Sequence, residues 1–442
     1  MSATSIEAAG AVGTVPATEP VPLRRNRNFN LLWGGSVAST LGLSTADIAY
    51  PLVILAMTNS PLKAGLFATV QMIVMVAATL PVGQLLDRYD RRRLLLLAEG
   101  ARTVAACGVA VAYFLGALAF WQLMLTAAVL GASQSFAGAR TLMTRQVVAP
   151  EQVADALTRE QLRQHGCELA GPPLGGALFA ASRALPFVFA TVSALASLLS
   201  VLFLRLPKSV SRPGDANANA DADGATEATD SSDTNDDKAG GGILLGLKTI
   251  MRDPVMRATA LSLCLVNMAG YPVFLSLVVR MNQHHDGSGT TGMVVGAMAL
   301  GGLLGTPLVK PLHKALRPGW VLIVACLTFA LTNFGMTFIA VPWADAVFLA
   351  IGGAVIPSAV VMVNVLILQA VPDENRGRTA AALDMFLVIG MPAGMLVASS
   401  ALQWFSPTAT LLGLSLLMTV SVVYSASQRA LRAATWPDAQ SA

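Results

Sequence analysis

The sequence predicts an all-α membrane protein, twelve transmembrane helices in two six-helix pseudo-repeat halves, and three observations predict it. Of 442 residues, 54% are hydrophobic and 12% charged, which is too apolar for an ordinary soluble protein. The apolar residues collect in runs that reach the roughly 20 positions a helix needs to cross a bilayer. Of the 29 Lys and Arg, only Lys63, Arg183 and Arg280 fall in loops on one face and Arg102 inside a span; the rest share the other face. That bias assigns the crowded face to the cytoplasm.

The runs are 29–57, 62–86, 94–118, 120–145, 161–181 and 184–206, then 255–281, 291–312, 319–341, 344–369, 379–402 and 407–427. Arg24, Arg25 and Arg27 hold the amino terminus inside, so twelve crossings put both termini in the cytoplasm of a multi-pass protein of the cell membrane. The first 22 residues are small and polar without an apolar core. No cleavable signal peptide is therefore expected, and the first span serves as insertion signal.

The chain divides into a tail at 1–28, a six-helix bundle at 29–206, a cytoplasmic linker at 207–252, a second bundle at 253–428 and a tail at 429–442. Residues 207–242 carry eight acids, abundant Ala, Asn, Ser and Gly, and no apolar period. Such a segment cannot bury enough surface to order itself, so disorder is expected there. Ile243 to Met251 reads as a short interfacial helix. The halves look like distant copies: Val148-Ala-Pro-Glu-Gln follows the fourth span and Val371-Pro-Asp-Glu-Asn the tenth. Gly83 and its loop likewise match Gly305 and the basic loop of Lys310, His313, Lys314 and Arg317.

Several function classes are disfavoured. A pI near 9.0 does not point to nucleic acid, because the basic residues sit in short clusters between apolar runs. Cys107, Cys167, Cys264 and Cys326 lie inside apolar runs with no metal-ligand spacing and read as buried small hydrophobes. No Walker A sequence, metal cluster or nucleophile constellation is present. The expectation is a protein that is not an enzyme and uses neither cofactor nor metal.

The loop between the second and third runs, Gly83-Gln-Leu-Leu-Asp-Arg-Tyr-Asp-Arg-Arg-Arg, resembles the signature loop of the major facilitator superfamily. That pattern is Gly-x-Leu-x-Asp-Arg-x-Gly-Arg-Lys/Arg, and only its second glycine differs, replaced by Asp90. Phe29-Asn-Leu-Leu-Trp-Gly, Leu41-Gly42, Pro51-Leu-Val-Ile-Leu, Asn59-Ser-Pro-Leu, Gly65, Ala139-Arg-Thr and Gly377-Arg378 resemble its macrolide-efflux and enterobactin-exporter branch. The resemblance implies a monomeric secondary transporter with its substrate site between the halves. It implies export of a small amphipathic organic molecule, an antibiotic, siderophore or similar metabolite, by alternating access in exchange for protons. Nutrient uptake or facilitated diffusion by the same fold is the first rival reading. A membrane sensor or partner that has lost transport is the second.

Candidate residues follow from position. Asp47 lies well inside the first span, where an unpaired charge is costly, and is expected to exchange a proton or to hold a cationic substrate. Glu168 with His165 three residues before it, and Asp384, lie near the cytoplasmic ends of their spans and are candidates for the same work. Glu99 and Arg102, also three apart, read as a structural ion pair. By resemblance, Gly83, Asp87, Arg88, Arg91 and Arg92 form a cytoplasmic gate. Asp87 would cap the start of the eleventh helix near Thr379, beside Arg376 and Arg378. In the fifth span Gly171, Pro172, Gly175 and Gly176 keep the second part of the antiporter motif, while Cys167 stands at its first glycine. The fourth-span arginine of many drug/proton antiporters is replaced by Ala127. Gln71, Gln134, Asn267, Tyr271 and Asn364 are expected to line the cavity, with Met72, Met75, Met268 and Phe274 as apolar wall. Gly292, Gly296, Gly301, Gly305, Gly390 and Gly394 are assigned to helix packing.

Overall fold

The computed structural model describes residues 22–204, 247–370 and 373–436, and among these there are helices and turns but no strand. The first half contains α1 (Arg27–Thr58), α2 (Pro61–Arg88), α3 (Arg91–Phe114), α4 (Phe120–Gln134), α5 (Ala137–Val147), α6 (Val153–Ala181) and α7 (Leu185–Leu202). The second contains α8 (Pro254–Gln283), α9 (Ser288–Gly305), α10 (Val309–Ala315), α11 (Pro318–Phe338), α12 (Pro342–Ala354), α13 (Ile356–Ala370), α14 (Asp373–Trp404) and α15 (Pro407–Ser427), with a short α16 (Arg429–Ala433) behind it. Among the described residues ten helical stretches are long and apolar enough to cross a membrane. The broken pair α4–α5 and the more polar α6 complete the twelve. Most of the 207–252 linker lies outside the described residues; 247–252 is helical, with Ile250 fully buried.

The sequence sets where helices begin. Ser60, Asp253 and Ser406 each accept a hydrogen bond from an amide of the first turn, and a proline follows each one. A short oxygen acceptor before a residue whose missing N–H costs nothing there is a strong start signal. Asp90, the residue that departs from the signature pattern, does the same for α3: its Oδ1 accepts from Arg92 N at 2.8 Å and Arg93 N at 3.2 Å.

Two spans expected to be continuous are not. The fourth breaks between α4 and α5, and the tenth breaks between α12 and α13. At the first break Ser133 Oγ bonds Ala98 O at 3.3 Å and Ser135 Oγ bonds Met75 O at 2.9 Å. Neighbouring backbones thus fix the bend, as non-helical backbone in a membrane requires. That the same span breaks in each half agrees with the pseudo-repeat.

The halves meet at the end of the bundle away from the Gly83–Arg93 loop. There α2 packs on α14 and α6 on α9. Ser60 Oγ bonds Gln403 Oε1 at 2.7 Å across the boundary. Leu275, Val278, Val279, Met395 and Leu402 of the second half join one apolar cluster with Ile48, Val53 and Phe67 of the first.

Each half is also pinned internally by buried charge. Glu99 pairs with Arg102 at 2.8 Å, as expected, and also with Arg140 of α5. Arg140 reaches Ser36 at 3.1 Å and Ser197 at 2.6 Å as well, so one cluster ties α1, α3, α5 and α7. In the second half Arg280, expected in a loop, is instead buried within α8. It pairs with Asp345 of α12 and donates to Met336 O of α11.

The cysteine expectation also needs correcting. Cys167 and Cys326 are buried, but Cys107 is exposed on α3 and Cys264 is half-buried. Past α15, Leu431 is fully buried and packs on the start of α11. Trp436 stacks on His313 with ring centroids 4.5 Å apart and donates from Nε1 to Leu316 O at 2.7 Å.

Candidate functional site

Two exposed positions, one on the first helix of each half, stand out. On α1, Asp47 is the one exposed residue between Thr45 and Leu55. On α8, the corresponding first helix of the second half, Tyr271 is the one exposed residue between Ala258 and Met281. The other residues of these two stretches are buried or half-buried, so each helix is exposed at a single point there. Tyr271 is 42% exposed and lies within electrostatic reach of both Asp47 and Glu168. Gln71 of α2 lies beside Asp47. Three helices from two halves therefore converge here.

The fifth-span motif explains how α6 comes so near. Gly171 packs against Ser44 and Gly175 against the backbone of Thr45, three and two residues before Asp47. The adjacent Gly176 meets Gly292 of α9 backbone to backbone, and the Pro172 carbonyl lies under Gly292. A side chain at any of these positions would force the helices apart. The motif thus packs α6 onto α1 beside Asp47 and onto α9 of the other half. Cys167, where the pattern has glycine, is buried with its Sγ 3.8 Å from Val37 O, so α6 still lies along α1 on that side of the motif.

Toward the Gly83–Arg93 end α6 is open. Gln164, His165, Gly166 and Glu168 are all exposed. Glu168 accepts from Gln164 Nε2 at 3.0 Å and lies 3.4 Å from His165 Nδ1, so the pair expected from sequence does form, in a wet setting. Arg163, buried between them and α1, binds Glu160 at 2.6 Å and donates to Ser36 O and Thr40 Oγ1.

The other candidates are distributed as follows. Asn364 is exposed, whereas Gln71, Gln134 and Asn267 are half-buried. Asn267 Nδ2 contacts Leu387 O at 3.4 Å beside the close approach of Gly390 and Gly394 to α8, so it helps hold α14. Met75 and Met268 lend their backbones to helix contacts with Gly131 and Gly394, and Phe274 packs inside the second half. Of the gate residues, Gly83 is exposed with open space around its Cα, and Arg92 donates to Val201 O and Leu202 O at the end of α7. The side chains of Asp87, Arg376, Arg378 and Asp384 lie outside the described residues; Thr379 is fully buried. Among the described residues no group of His, Cys, Asp and Glu is arranged to hold a metal.

Sequence reasoning missed Arg140 and the Arg280–Asp345 pair. The available signal was a charge inside an apolar run, which in a membrane demands a partner.

Comparisons with known proteins agree with this architecture. The sequence profile of the Major Facilitator Superfamily matches residues 32–395 and 260–434. The chain is similar to the multidrug efflux pump Tap of Mycolicibacterium fortuitum, 24% identical over 399 residues, which cover 88% of this chain and 92% of that one. It is also similar to the enterobactin exporter EntS of Salmonella typhimurium, 24% identical over 422 residues, covering 90% and 93%. Among solved structures, a bacterial homologue of the iron transporter ferroportin in an inward-facing state aligns with a TM-score of 0.66 at 16% identity, covering 91% of this chain and 99% of that one. A bacterial homologue of the lysosomal transporter Spinster, inward-facing and unoccupied, aligns with a TM-score of 0.64 at 14% identity, covering 92% and 96%.

Proposed function

The chain belongs to the major facilitator superfamily, and from that premise we propose that it exports a small amphipathic organic molecule by alternating access, in exchange for protons. The observation that carries the reading is the exposed pair Asp47 and Tyr271, one on the first helix of each half, beside the close contacts of α6 with both halves; we take them as the floor of a cleft between the halves that those contacts seal on one side. Export rather than uptake is supported by similarity to Tap and EntS over nearly the whole chain.

In this reading the positive-inside bias puts the Gly83–Arg93 loop, both tails and the 207–252 linker in the cytoplasm of a cell-membrane protein. The cleft then opens inward, and the contacts of α6 with α9 and of α2 with α14 close the outer side. Substrate enters past Glu168 and His165 and settles between Tyr271 and Asp47. The outer contacts part while the inner rim closes. Asp87, Arg88 and Arg91 on the rim, with Arg376 and Arg378 opposite, hold that closed rim through charge-assisted bonds near the start of α14. Asp384, one to two turns further along α14, is a second candidate for proton uptake.

Asp47 is assigned the coupling step. Among the described residues no basic side chain is paired with Asp47, and a carboxylate so placed within a span is neutralised by a proton or by substrate, not by both at once. Inverted membrane vesicles test this. The wild type should accumulate substrate on imposing a proton gradient, and Asp47→Asn should lose gradient-driven accumulation while keeping exchange at equilibrium. Unchanged accumulation in Asp47→Asn would remove the coupling role.

A further inference from the structure

The two basic loops that match between the halves put their charges to different uses. In the first half Asp90 caps α3 and Arg92 caps the end of α7. In the second half Lys310, Lys314 and Arg317 are exposed, and among the described residues their side chains make no hydrogen bond or ion pair. No Asp or Glu occurs between Asp286 and Asp345 to balance them. The neighbouring α16 adds to the excess: Arg429 and Arg432 are exposed, and the Arg432 amide lies beside Gly319 at the start of α11.

α10 is fastened from its inner side. His313 Nε2 donates to Ser358 O at 3.1 Å while its ring stacks on Trp436, and Leu312 and Leu316 pack on the apolar cluster of the second half. Lys310 and Lys314, four positions apart, share the face turned away from Leu312. The helix that follows has a single exposed stripe. Its exposed residues are Trp320, Leu327, Leu331 and Phe338, and at 100° per residue they fall within about 20° of one line. An exposed apolar stripe along a span faces hydrocarbon, and Trp320 at its inner end sits at the level where membrane proteins place tryptophan.

We propose that this corner binds one anionic phospholipid of the cytoplasmic leaflet. The phosphate lies against Lys310, Lys314 and Arg317, Trp320 meets the glycerol region, and an acyl chain follows the stripe past Leu327 to Leu331. Trp320 to Leu331 rises roughly 16 Å, about the depth of one leaflet's hydrocarbon. Unengaged basic side chains at an inner membrane surface attract anionic headgroups, and the stripe gives the tail a place that a free phosphate would leave empty. The lipid braces from outside the same short helix that His313 and Trp436 hold from within.

The test starts from the full chain in nanodiscs of equal parts phosphatidylglycerol and phosphatidylcholine. The protein is released into detergent, and the lipids it retains are counted by native mass spectrometry. The wild type should retain one phosphatidylglycerol in preference to phosphatidylcholine by at least about tenfold, since each basic residue at an anionic surface contributes roughly fivefold. Replacing all three basic residues, Lys310→Gln, Lys314→Gln and Arg317→Gln, should abolish the preference. Lys314→Gln alone should cut it several-fold and keeps the test open if the triple variant does not fold. Trp320→Ala should also lower retention, although no charge is lost. Arg24→Gln, Arg25→Gln and Arg145→Gln together remove the same charge from exposed positions of the first half and should leave the preference intact. Equal retention of the two lipids, or an equal fall in that first-half variant, would overturn the proposal.

Discussion

Gly176 and Gly292 meet across the two halves so closely that a Cβ on either would lie 3.0 Å from the other's Cα. This contact exists only while α6 and α9 are together. Replacing Gly292 by Ala or Val should wedge that side open, at a cost of about 1–3 kcal/mol to the sealed state. An equilibrium between two states would shift by roughly 5–150-fold. Disulfide formation between cysteines placed at Ser60 and Gln403, whose side chains touch at 2.7 Å here, reads the seal directly. The cross-link should form readily in the parent and fall in Gly292→Val; an equal yield would mean the contact does not govern closure.

The buried ion pairs make a different kind of prediction. Removing Arg280 leaves Asp345 charged and alone inside the second half, which should cost about 3–5 kcal/mol. Thermal unfolding in detergent should show it as a lower midpoint for Arg280→Ala and for Asp345→Ala. Replacing both at once, Arg280→Met with Asp345→Leu, should lose less than either single change, because no charge is stranded. A double variant worse than both singles would contradict this.

Asp90 offers a milder change. It caps α3, so Asp90→Ala should lower stability by about 1 kcal/mol, and Asp90→Gly, which restores the signature pattern, by only a few tenths. Midpoints from the same unfolding assay should rank Asp, Gly, Ala.

Within the arginine-rich loop, two residues should separate by what they impair. Arg92 caps the end of α7, so Arg92→Gln is expected to lower thermal stability and to spare transport per folded molecule. Asp87→Asn is expected to insert and fold like the parent yet transport several-fold more slowly, since the rim closes less firmly. Equal transport rates in Asp87→Asn and parent vesicles would count against a gating role.

Much of this architecture is legible in one dimension. Apolar runs and the alternation of basic loops need no knowledge of which residues touch, so the twelve spans, the signature loop and the depth of Asp47 follow directly. What is not legible depends on partners distant in sequence. Arg140 lies 41 residues from Glu99, and Arg280 lies 65 from Asp345, so the chain order gives no hint of either pair. The breaks after Gln134 and Ala354 are equally hidden, because the apolar run continues through both. At Ser135 the bend is set by a carbonyl on another helix. The fifth-span glycines announce close packing, yet nothing in their spacing says that Gly171 and Gly175 serve α1 whereas Gly176 serves α9.

The stacking of Trp436 on His313 bears on how far the chain can be trimmed. The ring, with its bond to Leu316 O, fastens the segment behind α15 to the α10–α11 turn, so shortening that removes Trp436 should loosen this corner of the second half. Asn26, which bonds Val147 O, is the corresponding anchor of the first half, and shortening from the other side should stop before it.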